Sequence, residues 1–404
     1  MYNVCVTSKI DTNATQPRVR FRSDRCGVVL ERLSQVSGGN DFLKKMSLRF
    51  LLYCKTWRQI VMSYNRNTSR NRTAARLDNI PYSDYRGINN PASLCYLTSV
   101  LHVLSMTPRF PEAVKRGSAT HSLYLDPNLD KLFSDLEKCT ADIDDIAMAL
   151  GITEADIYQQ RDAAEYFQKI LCGTSPAAAE MFQGALKRCV KCHGCRTKNK
   201  TDDPFWSLPI SVGPGLRLYS ANNLEMAFED VFTPTTLTGD DTIYCDRCQA
   251  REDATIVCGW QHRPQILTLQ LKRFQLDYLR NRYEKITCCI DVPQKLHMKG
   301  CDYELYAHIN HYGSLTGGHY TATIKSYETG GWYDFDDARV RLLCPQPFQQ
   351  GETAKSSSAY LLMYRRATCP PAGAGRADAE CVDERVAVTS TGCLARPSDY
   401  AWIP

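Results

Sequence analysis

GINNPASLCYLTSVLHVL, residues Gly87–Leu104, sets a single cysteine between a polar, proline-bearing loop and an apolar run. Leu94, Leu97, Val100, Leu101 and Leu104 recur at the intervals of one helix face, and Pro108 closes the run. Pro91 breaks any earlier helix, so the spacing predicts a helix that begins near Ser93 or Leu94. Cys95 then lies in the first turn, facing unpaired backbone N–H groups and the positive end of the helix dipole. That is the setting in which cysteines become nucleophiles. Taken alone, the same pattern also describes a buried, inert core cysteine.

A cysteine nucleophile needs a histidine base, and the base needs a group to orient it. Of the eight histidines, His319 sits in GSLTGGHYTATIKSY, after two glycines and at the start of a strand pattern. Paired glycines let a substrate backbone approach closely. Beyond the turn ETGG comes WYDFDDARV, and a hairpin there folds Asp336 back beside the strand that His319 opens. Asp336 can then accept the imidazole N–H, leaving the other ring nitrogen for Cys95.

Around these residues the chain changes character. From Cys95 to about Leu186 the spacing is helical, and QQRDAAEYFQKIL repeats it. From about Trp206 strand patterns dominate, in PQILTLQLKRF, YELYAHINHYG, GHYTATIKSY, GWYDFDDARV and SSAYLLMYRR. Helices first and strands later give an α+β fold class.

Two C-x-x-C pairs, Cys189–Cys192 and Cys245–Cys248, can chelate one tetrahedral Zn²⁺, each supplying adjacent corners. Their separation of 52 residues suits an inserted β-rich subdomain better than a compact ribbon. A redox pair is the rival reading, but there are two pairs and no βαβ context for it. Cys195 also stands two residues beyond His193 in an overlapping CHGC and is read as a decoy.

Composition bounds the rest. The 404 residues, 43% apolar and 23% charged, are those of a globular chain of one large or several ordinary domains. A net charge of +5 is too small to argue for nucleic acid. The opening residues hold no export-type apolar run, and no stretch is long enough to span a membrane. The sequons at Asn13, Asn67, Asn71 and Asn199 are therefore read as chance matches. Nineteen cysteines, an odd count, then point to reduced thiols and metal ligands. From Lys44 to Leu77 there are nine Lys or Arg and no acidic residue, a segment read as a solvated basic extension rather than a contact with an anionic surface. Residues from 368 onward, rich in Ala, Gly, Pro and charge, are expected to be disordered.

Five ordered motifs carry a family resemblance. GINNPASLCYLTSVLHVL resembles the cysteine box of ubiquitin-specific proteases, GLxNxGxTCYxNSxLQxL, and YELYAHINHYGSLTGGHYTATIKSYETGGWYDFDDARV resembles their histidine box. QRDAAEYFQKIL is similar to the QxDAxEFxxxLL box, PQILTLQLKRF to the LxLxLKRF strand, and SSAYLLMYRR to the closing strand. The resemblance covers about residues 84–367 and implies a papain-like fold. Its parts would be a helical thumb (about 84–186), zinc-bearing β fingers (about 187–256) and a β-sheet palm (about 257–367), with extensions 1–83 and 368–404 outside it.

Carried over position by position, the resemblance implies Cys95 as nucleophile, His319 as general base and Asp336 as its orienter. Asp337 becomes a stand-in or second hydrogen-bond partner, and Asn90 an oxyanion-hole donor. Asp162 and Glu165 would bind the arginine-bearing C-terminal tail of ubiquitin, while Gly317, Gly318 and Tyr320 would form a tunnel for its Gly-Gly end. The implied activity is hydrolysis of the bond after ubiquitin's last glycine, with no cofactor for catalysis and a structural zinc. The implied partners are ubiquitin and ubiquitinated proteins, with no nucleic acid, in the cytoplasm or nucleus.

The chain departs from the family pattern at Pro91, Ala92, Ser93 and Leu94. It does so again at Thr98 and His102, where Asn and Gln are common, and at Arg161. Three alternatives stay open. One is a ubiquitin-binding scaffold with little activity; another is a protease for a ubiquitin-like modifier. The third, a zinc-stabilised nucleic-acid module, leaves the histidine box unexplained.

Overall fold

The opening cysteine box becomes a helix at the centre of the molecule. In the computed structural model, the described residues are 85–120, 124–213, 223–277, 281–298, 301–314, 317–349 and 351–367. The expected extensions 1–83 and 368–404 lie outside them. Helix α1 (Cys95–Ser105) starts directly after Leu94, two residues past the earliest predicted start, and ends before Pro108. Every residue from Cys95 to Leu104 is buried, including Thr98, Ser99 and His102. The helix is thus enclosed on all sides rather than amphipathic, and its three polar side chains must find partners inside the protein.

Helices α2 (Phe110–Thr120), α3 (Asp126–Leu136), α4 (Asp144–Ala149), α5 (Ala163–Gly173) and α6 (Pro176–Ala179) follow in turn. Phe110 meets Phe133 and Phe182 edge-on, and Phe167 meets Phe182 likewise, with ring centroids 5.4–6.2 Å apart. Each such buried aromatic contributes about 1.5–3 kcal/mol by leaving water. Helix α5 is started by Asp162, whose carboxylate caps the Ala164 N–H at 2.6 Å.

The strands begin earlier than their apolar pattern suggests. Strands β1 (Gly184–Cys192) and β2 (Lys198–Phe205) pair antiparallel ahead of β3 (Leu208–Ser211). Helix α7 (Leu224–Glu229) precedes β4 (Thr235–Leu237), β5 (Ile243–Cys245), β6 (Ala250–Glu252) and β7 (Ala254–His262). The order β2-β1-β7-β4 makes a narrow four-stranded sheet, with β5 and β6 as a separate hairpin. Strand β2, KNKTDDPF, is an exposed edge with no apolar alternation, so its sequence carries no strand signal.

The remaining strands are β8 (Ile266–Lys272), β9 (Phe274–Asp277), β10 (Arg282–Lys285), β11 (Ile290–Pro293), β12 (Lys295–Met298), β13 (Cys301–Gly313), β14 (Gly318–Lys325), β15 (Trp332–Asp336), β16 (Arg339–Leu342), β17 (Thr353–Ser356) and β18 (Ala359–Arg366). The large sheet runs β16-β15-β14-β13-β18-β8-β3, with β12 added beside β13 and only β3–β8 parallel. Helices segregated ahead of most of a largely antiparallel sheet make the architecture α+β, as the zonation predicts. The buried Arg273 joins the sheet to its flank. Its guanidinium donates to the carbonyls of Ala359 (2.6 Å), Ile286 (3.0 Å), Cys288 (3.0 Å) and Ser356 (3.1 Å).

Candidate active site

The loop before α1 is organised by one side chain. Asn90 Oδ1 accepts from the backbone N–H of Ala92 (3.2 Å) and Leu94 (3.0 Å), which turns the chain into the helix and buries Cys95 to 1% exposure. The proline between them is compatible, because Pro91 has no N–H to satisfy. Cys95 Sγ donates to Gln160 Oε1 at 3.6 Å.

Strands β14 and β15 pair with Lys325 opposite Trp332 and Ala322 opposite Phe335. Continuing that register toward the open end puts Asp336 opposite Thr321, diagonal to His319 on the same face of β14. His319 Nε2 lies 2.6 Å from Asp336 Oδ1, and the Cys95 thiol acts on the same imidazole. Cysteine, histidine and aspartate are brought together from α1, β14 and β15. The Cys95 thiol, and then the hydrogen bond to Asp336, raise the His319 pKa to about 9 against the opposing effect of burial.

Asp337 follows in a left-handed conformation (φ 51°), and its carboxylate reaches α1 while staying within 4.8 Å of His319 and Asp336. Its Oδ2 accepts from Asn90 Nδ2 (3.0 Å) and its Oδ1 from Thr98 Oγ1 (2.6 Å). Burial raises its pKa. Asp336 and Asp337, adjacent and both acidic, do different things: one holds the imidazole, the other holds Asn90.

Across the sheet, Gly313 and Gly318 pair at the mouth of the β13–β14 hairpin. A methyl group on Gly318 would meet Tyr312 O at 2.6 Å and come nearer still to His311 Nε2, so only glycine fits. Gly317 has no such constraint; its nearest neighbour would be Ser314 Oγ at 3.8 Å. Tyr320 is buried, its ring 4.6 Å from His311 and 6.0 Å from Tyr360.

The two acidic residues expected to act as a pair are unequal. Asp162 is partly buried and spends both oxygens internally, on Ala164 N–H (2.6 Å) and Tyr360 O–H (2.7 Å). Glu165 is exposed and pairs with Lys169 at 2.6 Å. Arg161 stands beside them, bonded to Asp156 (2.9 Å) and Gln159 (2.9 Å).

One expected metal ligand is displaced. The four thiols that converge are Cys192, Cys195, Cys245 and Cys248, all within 4.8 Å of one another. Cys189 is not among them. It lies in mid-strand, paired with Lys200 and Val257, whereas Cys192 ends β1 and the turn His193–Cys195 brings Cys195 round to meet it. Cys245 and Cys248 flank the β5–β6 turn in the same way, and the residue after each pair, Arg196 or Gln249, has a positive φ (58° and 55°). Two equivalent turns thus face each other, and CHGC, read as the decoy, is the true pair. The Sγ separations Cys192–Cys248 (3.8 Å) and Cys195–Cys245 (3.6 Å) agree with the S–S edge of about 3.8 Å for a tetrahedral ion with bonds of about 2.3 Å. The Thr197 hydroxyl, 3.1 Å from Cys195 Sγ, lowers that thiol's pKa to about 6, while burial raises that of Cys248.

Comparison with known proteins agrees with this geometry. The family model for ubiquitin carboxyl-terminal hydrolases matches residues 86–364, more than half of the chain. The chain belongs to this family. Ubiquitin carboxyl-terminal hydrolase 47 of Xenopus tropicalis is 27% identical over 381 residues, covering 70% of the chain and 28% of that protein. The hydrolases 15 of Schizosaccharomyces pombe and 26 of Arabidopsis thaliana are each 28% identical, covering 63% and 67% of the chain but 24% and 27% of their own lengths. The chain spans about a quarter of the length of these relatives.

Within this hydrolase domain, sequence reading overlooked three side chains at the site. Gln160 touches the thiol from the same QRDAAEYF motif that supplied Asp162. His311 packs on Tyr320 and is kept neutral by burial, which lowers its pKa to about 4. The third, His102, stood out only as a departure from a pattern. A polar residue on an otherwise apolar helix was the available signal.

Proposed function

We propose that the chain is a cysteine-type deubiquitinase, cleaving the peptide or isopeptide bond after the C-terminal glycine of ubiquitin. The observation that carries this reading is the His319 imidazole, bonded to Asp336 at 2.6 Å, with the Cys95 thiol raising its pKa. In this mechanism the His319 imidazolium accompanies a Cys95 thiolate, and Asp336 fixes the ring's tautomer and angle. The sulfur attacks the glycyl carbonyl carbon, whose π electrons move to oxygen. An Asn90 amide N–H donates to that oxyanion. Collapse expels the amine, protonated by His319, and leaves a thioester on Cys95. His319 then takes a proton from water, which attacks the thioester and regenerates the thiol. Gly317, whose added methyl would meet nothing nearer than Ser314 Oγ at 3.8 Å, leaves room for a substrate main chain near the base, and a Gly-Gly end has no side chains to clash there.

The four-cysteine cluster fits a zinc ion with a structural role, closing the tip of the narrow sheet. Ubiquitin conjugates are the proposed partners, and the cytoplasm or nucleus the proposed location; the free thiols of Cys139, Cys258, Cys288, Cys289 and Cys344 suit a reducing compartment. No helix among the described residues is long and apolar enough to cross a membrane.

A ubiquitin C-terminal propargyl probe tests the central claim, because its warhead reports on a positioned nucleophile. An adduct mapped to Cys95 supports it, and folded protein that forms none sinks it. The Asp162 carboxylate is internally committed and Arg161 and Lys169 add positive charge, which favours one second reading: a modifier whose tail is less basic than ubiquitin's. A panel of ubiquitin-like propargyl probes separates the two.

A further inference from the structure

Helix α1 carries two polar side chains that the reaction does not use directly. Thr98 and His102 are four residues apart, so they stack on one face of the helix, one and two turns beyond Cys95. Both are buried, at 0% and 1% exposure, and both reach the same residue. Thr98 Oγ1 donates to Asp337 Oδ1 at 2.6 Å, and His102 Nε2 donates to the Asp337 carbonyl at 3.0 Å. The backbone N–H of Ile88 donates to that same carbonyl at 2.9 Å. The free Asp337 oxygen, Oδ2, accepts from Asn90 Nδ2 at 3.0 Å.

The His102 ring is locked. It lies 4.9 Å from Phe335, and burial lowers its pKa to about 4, so it stays neutral. A carbonyl can only accept, which places the proton on Nε2. Its Nδ1 is buried and has no protein partner, a cost the fold would avoid with an apolar side chain. Asp337 is held from both ends at a left-handed φ of 51° that a non-glycine residue does not adopt unaided. The product of these contacts is the orientation of one amide. Asn90 is fixed at Oδ1 by Ala92 and Leu94 and at Nδ2 by Asp337, so its remaining N–H has one direction in which to point.

We propose that Thr98 and His102 are positioning residues for the oxyanion donor, acting through Asp337 to aim the Asn90 amide. The inference rests on the reading of Cys95 as nucleophile and Asn90 as donor. Both residues stand where the family pattern has Asn and Gln, so a donor is retained at each height while the side chain changes.

The test compares T98V, H102L and H102Q with wild type on a fluorogenic ubiquitin C-terminal amide. It adds three readouts: affinity for ubiquitin C-terminal aldehyde, affinity for unmodified ubiquitin, and alkylation of Cys95 by iodoacetamide. Cys95 sulfur adds to the aldehyde carbon, and the C=O π electrons move to an oxygen that the Asn90 site must receive. T98V and H102L are expected to lower kcat about ten- to a hundredfold, with KM and ubiquitin affinity within about twofold of wild type. Aldehyde affinity should fall in step with kcat/KM, iodoacetamide alkylation should stay at the wild-type rate, and H102Q should recover most of the loss. Should H102L fail to fold, T98V carries the same comparison. Unchanged kcat in T98V, or alkylation falling together with aldehyde affinity, overturns the inference. A wild-type protein that hydrolyses nothing overturns the underlying reading of Cys95 instead.

Discussion

His319 Nε2 and Asp336 Oδ1, 2.6 Å apart, are joined by a register rather than by proximity in sequence. Strands β14 and β15 pair with Ala322 opposite Phe335, a register that sets Asp336, the end of β15, opposite Thr321 and so diagonal to His319 near the start of β14. The Cys95 thiol at the start of α1 acts on the same imidazole, and α1 is buried from Cys95 to Leu104 between the sheet and neighbouring helices. Cys95, His319 and Asp336, the proposed nucleophile, base and orienting carboxylate, therefore stand on α1, β14 and β15. Chemistry that depends on angles of tens of degrees needs that support.

The raised pKa of His319 has a signed consequence. Its imidazolium is favoured in the folded protein, so the stabilisation is fully present below the ordinary imidazole value of about 6.5. It is lost as pH rises through about 9. The alkaline limb of kcat/KM should accordingly fall near pH 9, not near neutrality. Side-chain NMR of His319 checks this directly. Replacing Cys95 by Ala should lower the midpoint most and replacing Asp336 by Asn somewhat less, because the thiol is the larger cause. A wild-type midpoint near the ordinary imidazole value contradicts the ion-pair arrangement.

The four-cysteine cluster makes a discriminating prediction because two candidate pairs overlap at Cys192. C195S should release bound zinc and lower the melting temperature, as chelation of the wild type should. C189S should keep both the metal content and the melting temperature, since Cys189 lies outside the converging thiols. Metal analysis of the two purified variants decides it. Loss from C189S with retention by C195S would reverse the assignment.

Most of this site was legible in the sequence, and the exceptions have physical causes. Cys95, His319 and Asp336 could be read because helix starts, paired glycines and hairpins leave local signatures. The choice between Cys189 and Cys195 turned on where β1 ends, and its partner β2 is too polar to show a period. Asp162 looked like a surface carboxylate because its two partners, Ala164 N–H and the distant Tyr360 hydroxyl, fix a direction that no spacing encodes. The buried roles of Thr98 and His102 depended on a contact with Asp337, more than two hundred residues away along the chain.

Asp162 and Glu165 should separate when each is replaced by Ala. D162A removes the cap of α5 and leaves the Tyr360 hydroxyl without its acceptor, costing about 1–2 kcal/mol of stability. E165A removes an exposed i,i+4 pair and should change stability by no more than about 0.5 kcal/mol. Urea denaturation gives the first comparison, and KM for a ubiquitin substrate the second. Glu165 is the exposed carboxylate of the two, able to exchange its surface pair with Lys169 for a basic tail, so E165A should raise KM without altering kcat. Equal stability losses in the two variants would mean that Asp162 is not the structural member of the pair.

Gly87 opens the cysteine box, and its requirement is steric. A methyl group there would stand 2.5 Å from Asp337 O and closer still to the Ala338 carbonyl carbon, and neither backbone atom can turn aside. G87A should therefore push the loop Gly87–Asn90 off the turn that carries Asp336 and Asp337, breaking the Ile88 N–H bond to Asp337 O (2.9 Å). Overpacking of this kind costs about 1–3 kcal/mol. The loss in kcat should exceed what that destabilisation explains, because the same loop holds Asn90. G259A is the comparison: it sits in strand β7 with no atom within 4 Å of an added methyl, and it should leave both activity and melting temperature unchanged. Assays below the melting temperature of each variant separate the catalytic loss from unfolding. If G87A keeps full kcat while folded, the loop and the acidic turn are not mechanically joined.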